Sequence, residues 1–283
     1  MVRSGGAAAG LAVVLFASAS SAQAPDNISP FSSAAFGWQT GTADWQEPPP
    51  GHGHGPIKPH PQHPYVSNAE AGRTGQQPTL RIGDDTDPVL KPWAAKIIRD
   101  SNDEALTGSR AVPFAAQARC FPGGVPGQLL FPFEPFYFIQ TPKIVYMIWQ
   151  RDQHVRRVQL TDKHSEEVKP SWFGESIGRF ENDDTFIVDT IGLSTENSFI
   201  DNFRTPHTEK LHVVERFTLS PDRNTLTAIV TVEDPETFNA PITMQQRWTK
   251  VNEPLGESIC AENNFDFFSQ NLFPVPMAGK PDF

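Results

Sequence analysis

The chain lacks several features that would point to common functional classes. It has no Gly-x-Ser-x-Gly elbow, no P-loop and no dinucleotide fingerprint, which disfavours lipase-like, kinase-like and nicotinamide chemistry. It also has no basic run, and its formal net charge is −10. Because an acidic surface repels phosphate backbones, nucleic acid is a poor partner for this protein.

Long apolar runs are also scarce, and the one near the start reads as a targeting segment. Arg3, the small apolar run from Ala7 to Ala19, and Ala22-Gln23-Ala24 are typical of a secretory signal peptide. No later stretch approaches the roughly 18 to 20 apolar residues of a membrane-spanning helix. The sequence predicts a signal peptide over residues 1–24, cleavage after Ala22 or Ala24, a periplasmic or secreted location and no membrane insertion.

Cysteine is rare as well, with only Cys120 and Cys260 in the chain. Exported proteins with an even cysteine count usually pair their cysteines, so we expect a disulfide between these two. The alternative is a pair of buried thiols, each acting as a small apolar residue.

Residues 25–79 are rich in Pro, Gly, Ser and His and show no apolar periodicity, most extremely in "EPPPGHGHGPIKPHPQHP". Such a composition buries too little surface to offset the entropy of ordering. We therefore predict a flexible arm that is dispensable for folding, followed by one domain over residues 80–283. The arm histidines either bind a transition metal weakly or belong to a spacer; they are His52, His54, His60 and His63.

One helix is predicted at the start of the domain, in "LKPWAAKIIRDSNDEALTG". Pro92 suits its first turn and Gly108 suits its end. Helical spacing places five apolar residues on one face, which we expect to brace a sheet: Leu90, Trp93, Ala94, Ile97 and Ile98.

From Phe131 onward the pattern changes to period two. Turn clusters such as "ENDD" and "SPDRN" separate short segments rich in β-branched and aromatic residues. The segments are "FYFIQ", "KIVYMIWQ", "HVRRVQL", "SIGRFE", "TFIVDTIG", "KLHVVERFTL", "TLTAIVTVED" and "ITMQQRWTK". Eight antiparallel strands without intervening helices predict an all-β barrel or sandwich, and their mixed polar and apolar faces suit a barrel with a ligand in its lumen.

The stretch "FRTPHTEKLHVVERF" is unusually dense in titratable residues. Strand parity places Glu215 on the face of Leu211 and His212 on the face of Arg216. Either Glu215 or Arg216 must therefore point inward or lie at a rim, and an inward charge is costly unless it is paired. The alternative is that both residues form ordinary ion pairs on a solvated face.

His212 beside Glu209 or Glu215 suits proton transfer in a dry pocket. His207 is a further catalytic candidate. Arg156 or Arg216 would hold an anionic or phenolate oxygen. The alternative for each histidine is a satisfied core or rim residue. No cofactor is predicted.

A weaker alternative is a metal site formed by His207, Glu209 and His212, since imidazole and carboxylate are common zinc ligands. His212 has the opposite strand parity to the other two, so a bulge or turn would have to intervene. The string is also not the helical zinc-protease motif, which needs histidines four residues apart on a helix.

The motifs "PSWFGESIGRFENDDTFIVDTIG", "TPHTEKLHVVERF", "VEDPETF" and "CAENN" resemble, in order and over residues 90–264, a family of exported bacterial proteins of largely unassigned function. The resemblance implies a lipocalin-like barrel. The chain departs from the family pattern at "ENDD" and "TDKH", two predicted hairpin tips. Matching positions include the candidates above, together with Gln140 and Trp172, to which the resemblance gives a substrate-binding role.

These observations lead to one functional expectation and two alternatives. The expectation is an exported enzyme that performs cofactor-free acid–base chemistry, of the lyase, isomerase or cyclase type, on a hydrophobic or aromatic small molecule in a barrel pocket. The first alternative is a non-catalytic carrier of such a molecule. The second is a metal-dependent enzyme. Neither the substrate nor the oligomeric state follows from the sequence.

Overall fold

The computed structural model describes residues 30–33, 35–75, 81–107, 120–132 and 134–260, so the predicted signal peptide lies outside it. Nine strands close into one barrel in chain order, which confirms the prediction of an all-β barrel. Eight of the strands are the eight predicted segments. The strands are β1 Gly37–Gln39, β2 Phe136–Gln140, β3 Ile144–Trp149, β4 Val155–Gln159, β5 Glu175–Asn182, β6 Thr185–Ile191, β7 His212–Leu219, β8 Thr225–Glu233 and β9 Ile242–Val251.

Strand pairing is antiparallel with one exception, the β4–β5 pair. There Val158 lies opposite Ser176 and Gln159 opposite Ile177 in a parallel register. A parallel neighbour needs a connection that returns to the starting end of the first strand. Residues 160–174 make that return, and we call them the crossover connection.

The first strand closes the barrel and corrects one prediction. Trp38 of β1 lies opposite Phe136 of β2 and opposite Lys250 of β9, so three residues complete the ring of strands. Farther along the same segment, Gln46 pairs with Gln245 and His54 with Ile242, both on β9.

The prediction of a flexible arm over residues 25–79 is therefore wrong for its described part. Phe31, Trp38 and Ile57 are 1%, 1% and 4% exposed and belong to the barrel core. A few well-spaced apolar side chains order a segment whose average composition suggests disorder, because each one packs on an existing sheet. The structure also argues against the dispensability of this segment, which includes the short helix α1, Asn68–Thr74.

The predicted helix is present as α2, Pro92–Thr107. Its buried residues include Ala94 and Ile98, whereas Trp93 and Ile97 are 40% and 38% exposed, so the predicted apolar face is only partly buried. The Trp93 indole N–H donates to the Glu236 carbonyl (2.8 Å), which places the helix against the connection between β8 and β9. Gly108, the predicted end signal, lies outside the described residues.

The barrel interior contains closely packed aromatic rings. The Phe136 ring lies 5.3 Å from Phe138 and 5.4 Å from both Trp149 and Trp248, centroid to centroid. Offset and edge-to-face contacts of this kind add to the stabilisation from apolar burial. These side chains take up space that the sequence-based expectation assigned to a ligand.

The two cysteines are bonded, as predicted. Cys120 and Cys260 lie 5.5 Å apart between Cα atoms and are separated by 140 positions. The bond ties the segment before β2 to the segment after β9, where the Cys260 N–H also donates to Asp152 Oδ1 (2.7 Å). In the described part of the chain, no helix has the length and apolar character needed to cross a membrane.

Candidate functional site on the outer face of the barrel

Strand β7 divides its charged residues between the two faces of the barrel wall, as strand parity predicts. Glu215 points inward and is 0% exposed. His212 and Arg216 point outward, His212 half-buried and Arg216 exposed. The three residues therefore belong to two separate polar environments.

Inside the barrel, Arg156 of β4 and Glu215 form a bidentate ion pair. Arg156 Nη1 donates to Glu215 Oε1 (2.8 Å), and Nη2 donates to Oε2. The guanidinium also donates to Ser176 Oγ (3.0 Å) and to Thr190 Oγ1 (2.7 Å). With Arg156 only 1% exposed, this pair is part of the packed interior, and the structure places neither partner where a substrate would reach it.

Arg216 behaves as an exposed surface residue. Its Nη2 lies 2.6 Å from Glu181 Oε2, and the hydrogen bond to Glu181 raises the Arg216 pKa. The alternative of an ordinary surface ion pair is therefore right for Arg216 and wrong for Glu215.

A second polar cluster lies on the outer face, which we call the outer-face cluster. Asp189 Oδ1 lies 3.0 Å from Nε2 of His212 and 3.0 Å from Nε2 of His164. The other ring nitrogen of His164, Nδ1, lies 3.0 Å from Glu175 Oε1. The cluster consists of His164, Glu175, Asp189, His212 and Glu233.

Strand register explains why these residues meet. Asp189 of β6 lies between Ile177 of β5 and Val214 of β7. Glu175 and His212 are each two positions from these neighbours, so they share the outer face with Asp189. Glu233 of β8 lies opposite His212. His164 comes from the crossover connection, which the parallel β4–β5 pairing leads past the same face.

Hydrogen bonding sets the charge states in the cluster. The hydrogen bond to Asp189 raises the His212 pKa above its usual value, and the Coulombic attraction of Asp189 and Glu233 adds to the effect. The same hydrogen bond lowers the Asp189 pKa, with a further contribution from His164. Burial alone would raise the Glu175 pKa, but hydrogen bonds from Ser165 and His164 bring it below its usual range.

The cluster is accessible to small molecules. The side chains of His212 and Asp189 are 36% and 34% exposed. His212 Nδ1 lies 3.9 Å from Glu233 Oε2, too far for a direct hydrogen bond. The partly exposed His212 ring therefore has Nε2 bonded to Asp189 and no direct hydrogen bond from Nδ1 to Glu233.

The remaining predicted site residues lie apart from the outer-face cluster. His207 is 4% exposed, with Nδ1 2.9 Å from the Thr208 carbonyl and Nε2 3.0 Å from Ser198 Oγ. Burial lowers its pKa. Glu209 is exposed in a turn. The metal set of His207, Glu209 and His212 is therefore not assembled in the structure.

The arm histidines do not form a metal site either. His54 Nε2 lies 3.1 Å from Asp87 Oδ1, and His60 Nε2 lies 3.4 Å from Asp85 Oδ1. Within the described ranges, no group of three or more His, Cys, Asp or Glu side chains is arranged to hold a metal ion.

The two positions implied by the resemblance have other contacts. The backbone N–H of Gln140, at the end of β2, donates to Ser32 Oγ (3.3 Å). The Trp172 ring stacks on Phe121 with centroids 5.6 Å apart. These contacts give neither residue a direct role at the outer-face cluster.

Four residues of the outer-face cluster were not predicted from the sequence: His164, Glu175, Asp189 and Glu233. One signal was present: Asp189 interrupts the otherwise apolar run "TFIVDTIG", and a charge in such a strand needs a partner. Pairing it with His212 also requires the β6–β7 register, which the separate strand patterns do not contain.

Comparison with protein-family models, with curated proteins and with solved structures finds no match to this chain. The family resemblance stays a prediction, and the function has to be inferred from the geometry of the site.

Proposed function

We propose that this protein is an exported enzyme that performs cofactor-free acid–base chemistry on a small hydrophobic or aromatic molecule at the outer-face cluster. The reaction would be of the lyase or isomerase type, with His212 carrying the proton. One observation carries the proposal: two imidazoles, from His164 and His212, share a single carboxylate oxygen of Asp189 at an accessible position.

The hydrogen bonds assign roles to the two histidines. When His212 is neutral, its Nε2–H donates to Asp189, so the lone pair lies on Nδ1, the accessible nitrogen. Nδ1 then takes a proton from the substrate, and Asp189 stabilises the imidazolium that forms. Carboxylate–histidine pairs orient and stabilise general bases in this way in other enzymes.

His164 has a positioning role. Both of its ring nitrogens lie 3.0 Å from carboxylate oxygens, one on Asp189 and one on Glu175, which fixes the orientation of the ring. His164 belongs to the crossover connection, and its ring bonds to Glu175 on β5 and to Asp189 on β6. It therefore holds the crossover connection against the outer face.

The surroundings of the cluster suit an apolar, uncharged substrate. Ile177 and Val214 flank Asp189 on the two neighbouring strands and are both half-buried, so they offer apolar surface beside the titrating groups. Glu175, Asp189 and Glu233 would repel an anion. Export is supported by the disulfide, which is typical of oxidising compartments.

The experiment is a proton-exchange assay that does not require the natural substrate. Neutral aryl ketones such as acetophenone are incubated with the protein in D2O, and loss of the α-proton signal is followed by NMR. We expect His212→Gln to slow the protein-dependent exchange by about a hundredfold, the usual range for a lost general base. Arg216→Gln, on the same strand and face, is the matched control and should exchange like the wild type.

The outcomes separate the candidate functions. Equal exchange by the wild type and His212→Gln would contradict the proposal. Ketones that bind, shown by line broadening, without protein-dependent exchange would favour the non-catalytic carrier.

A further inference from the structure

A cavity of about 290 Å³ lies away from the outer-face cluster. Two connections form it, the segment that follows β1 and the β6–β7 connection, residues 192–211, together with Leu130 of a short 3-10 helix. Its apolar wall includes Trp45, Ile57 and Phe203. Its charged groups are Asp44, Glu47, Lys58 and Asp201. A small, mostly apolar space with a few convergent polar groups is typical of a small-molecule site.

Hydrogen bonds between the two connections hold the cavity walls. The Trp45 indole N–H donates to the Ile200 carbonyl (2.7 Å), and the Asn202 amide donates to the Ala43 carbonyl. The Trp45 ring is therefore fixed on one side of the cavity rather than free to fill it.

Asp201 is the buried titratable group of this cavity. Its Oδ1 accepts hydrogen bonds from the backbone N–H groups of Phe203 (2.9 Å) and Thr205 (3.0 Å), and Oδ2 accepts from Thr205 Oγ1 (2.6 Å). A carboxylate accepts about four hydrogen bonds, so about one position remains for a further donor. Burial raises the Asp201 pKa to about 6, and the charge of Asp44 adds to this shift.

The neighbouring cations form their ion pairs with other carboxylates, although Arg81 also attracts Asp201 at longer range. Lys58 Nζ lies 2.9 Å from Glu47 Oε1, and Arg81 Nη1 lies 3.4 Å from Asp44 Oδ1. Among the residues that the structure describes, no cation lies within salt-bridge distance of Asp201. A carboxylate this buried gains from a cation that replaces lost hydration.

We propose that this cavity binds a small organic cation, an amine on an apolar body, with the ammonium group on Asp201 and the apolar body between Trp45 and Phe203. The ammonium takes the remaining acceptor position of the carboxylate. The aromatic rings favour a cation through their negative faces as well as through apolar contact. The inference does not depend on the function proposed for the outer-face cluster.

The test uses three probes of similar shape, benzylamine, benzyl alcohol and benzoate, titrated into the full mature chain by calorimetry at pH 8. We expect benzylamine to bind at least about tenfold more tightly than the other two, because only it can pair with Asp201. Its affinity should fall as the pH is lowered through about 6, where Asp201 becomes protonated. Equal binding of the three probes, tighter binding of benzoate, or no binding of benzylamine would overturn the proposal.

Two variants locate the binding. Asp201→Asn keeps the shape and the loop hydrogen-bond acceptor and should weaken benzylamine by about tenfold or more. Glu236→Gln, which removes an exposed carboxylate outside the cavity lining, is the control and should stay close to the wild type. Ile57→Phe fills the cavity and keeps Asp201, so it decides the case if Asp201→Asn fails to fold. Unchanged benzylamine binding in folded Asp201→Asn or in Ile57→Phe would contradict the assigned site.

Discussion

Two groups of charged side chains lie on opposite sides of the barrel wall, the interior pair of Arg156 and Glu215 and the outer-face cluster around Asp189. They contain similar chemical groups but differ in burial. Both join a carboxylate to nitrogen atoms from other elements: Glu215 of β7 pairs with Arg156 of β4 in the interior, and Asp189 of β6 bonds to His212 of β7 and to His164 on the outer face. The interior pair is sealed, at 1% and 0% exposure, and Ser176 and Thr190 complete its hydrogen bonds. In the outer cluster the His212 and Asp189 side chains are 36% and 34% exposed, and one Asp189 oxygen is shared by the rings of His164 and His212.

This difference in burial affects how easily each group can gain or lose a proton. A buried charge with every donor satisfied is held in one state, because any change leaves a partner stranded at high cost. An exposed imidazole beside a carboxylate can gain or lose a proton at little cost near neutrality. The density of titratable residues in the β7 sequence therefore comes from two separate polar environments, one on each side of the barrel wall.

The largest expected effect comes from breaking the interior pair. Glu215→Gln leaves the Arg156 charge buried without a counter-charge, and we expect a loss of about 3–5 kcal/mol in the free energy of unfolding. Urea denaturation measures it.

Glu181→Gln, which removes the surface partner of Arg216, is the control for that measurement. It should lower the free energy of unfolding far less than Glu215→Gln does, because exposed ion pairs contribute little to stability. A loss from Glu215→Gln as small as the control value would show that the interior pair is not as sealed as its contacts indicate.

A smaller effect should appear in the pH dependence of stability, with opposite signs for two histidines. The raised pKa of His212 means that its contribution is fully present below the unfolded value of 6.5 and is lost as pH rises through the folded pKa. The lowered pKa of His207 means that its contribution is present above 6.5 and is lost as pH falls through the folded pKa.

Thermal unfolding between pH 5 and 9 separates the two histidines. His212→Gln should remove a decline in stability on the alkaline side, of less than about 1 kcal/mol because the ring is partly solvated. His207→Gln should instead flatten a decline on the acidic side. The same sign of change in both variants would contradict the distinction between the buried and the exposed ring.

Much of the barrel could be predicted from the sequence because eight strands carry their own period-two pattern. β1 could not, because three residues, Gly37–Gln39, in a segment rich in Pro and Gly show no period. Their strand geometry comes from pairing with β2 and β9, a contact distant in sequence. Composition averaged over a long window hides the few apolar anchors, such as Phe31 and Trp38.

Only part of the site could be predicted, again because a single strand pattern does not show which residues on other strands it will contact. Parity along β7 correctly separated Glu215 from His212. Their partners lie on other strands, Arg156 on β4 and Asp189 on β6, and register across strands is fixed only when the barrel closes. His164 depends on the parallel β4–β5 pairing, which no local pattern indicates.

The central claim is that Asp189 makes His212 a proton carrier on the outer face. The most direct measurement is an NMR pH titration of the His212 ring in the wild type and in Asp189→Asn, which keeps the shape and removes the charge. The account predicts a His212 pKa above 6.5 in the wild type and a clearly lower value in the variant, since the hydrogen bond to Asp189 is the largest cause of the shift. A His212 pKa at or below 6.5 in the wild type, or the same pKa in both proteins, would contradict it.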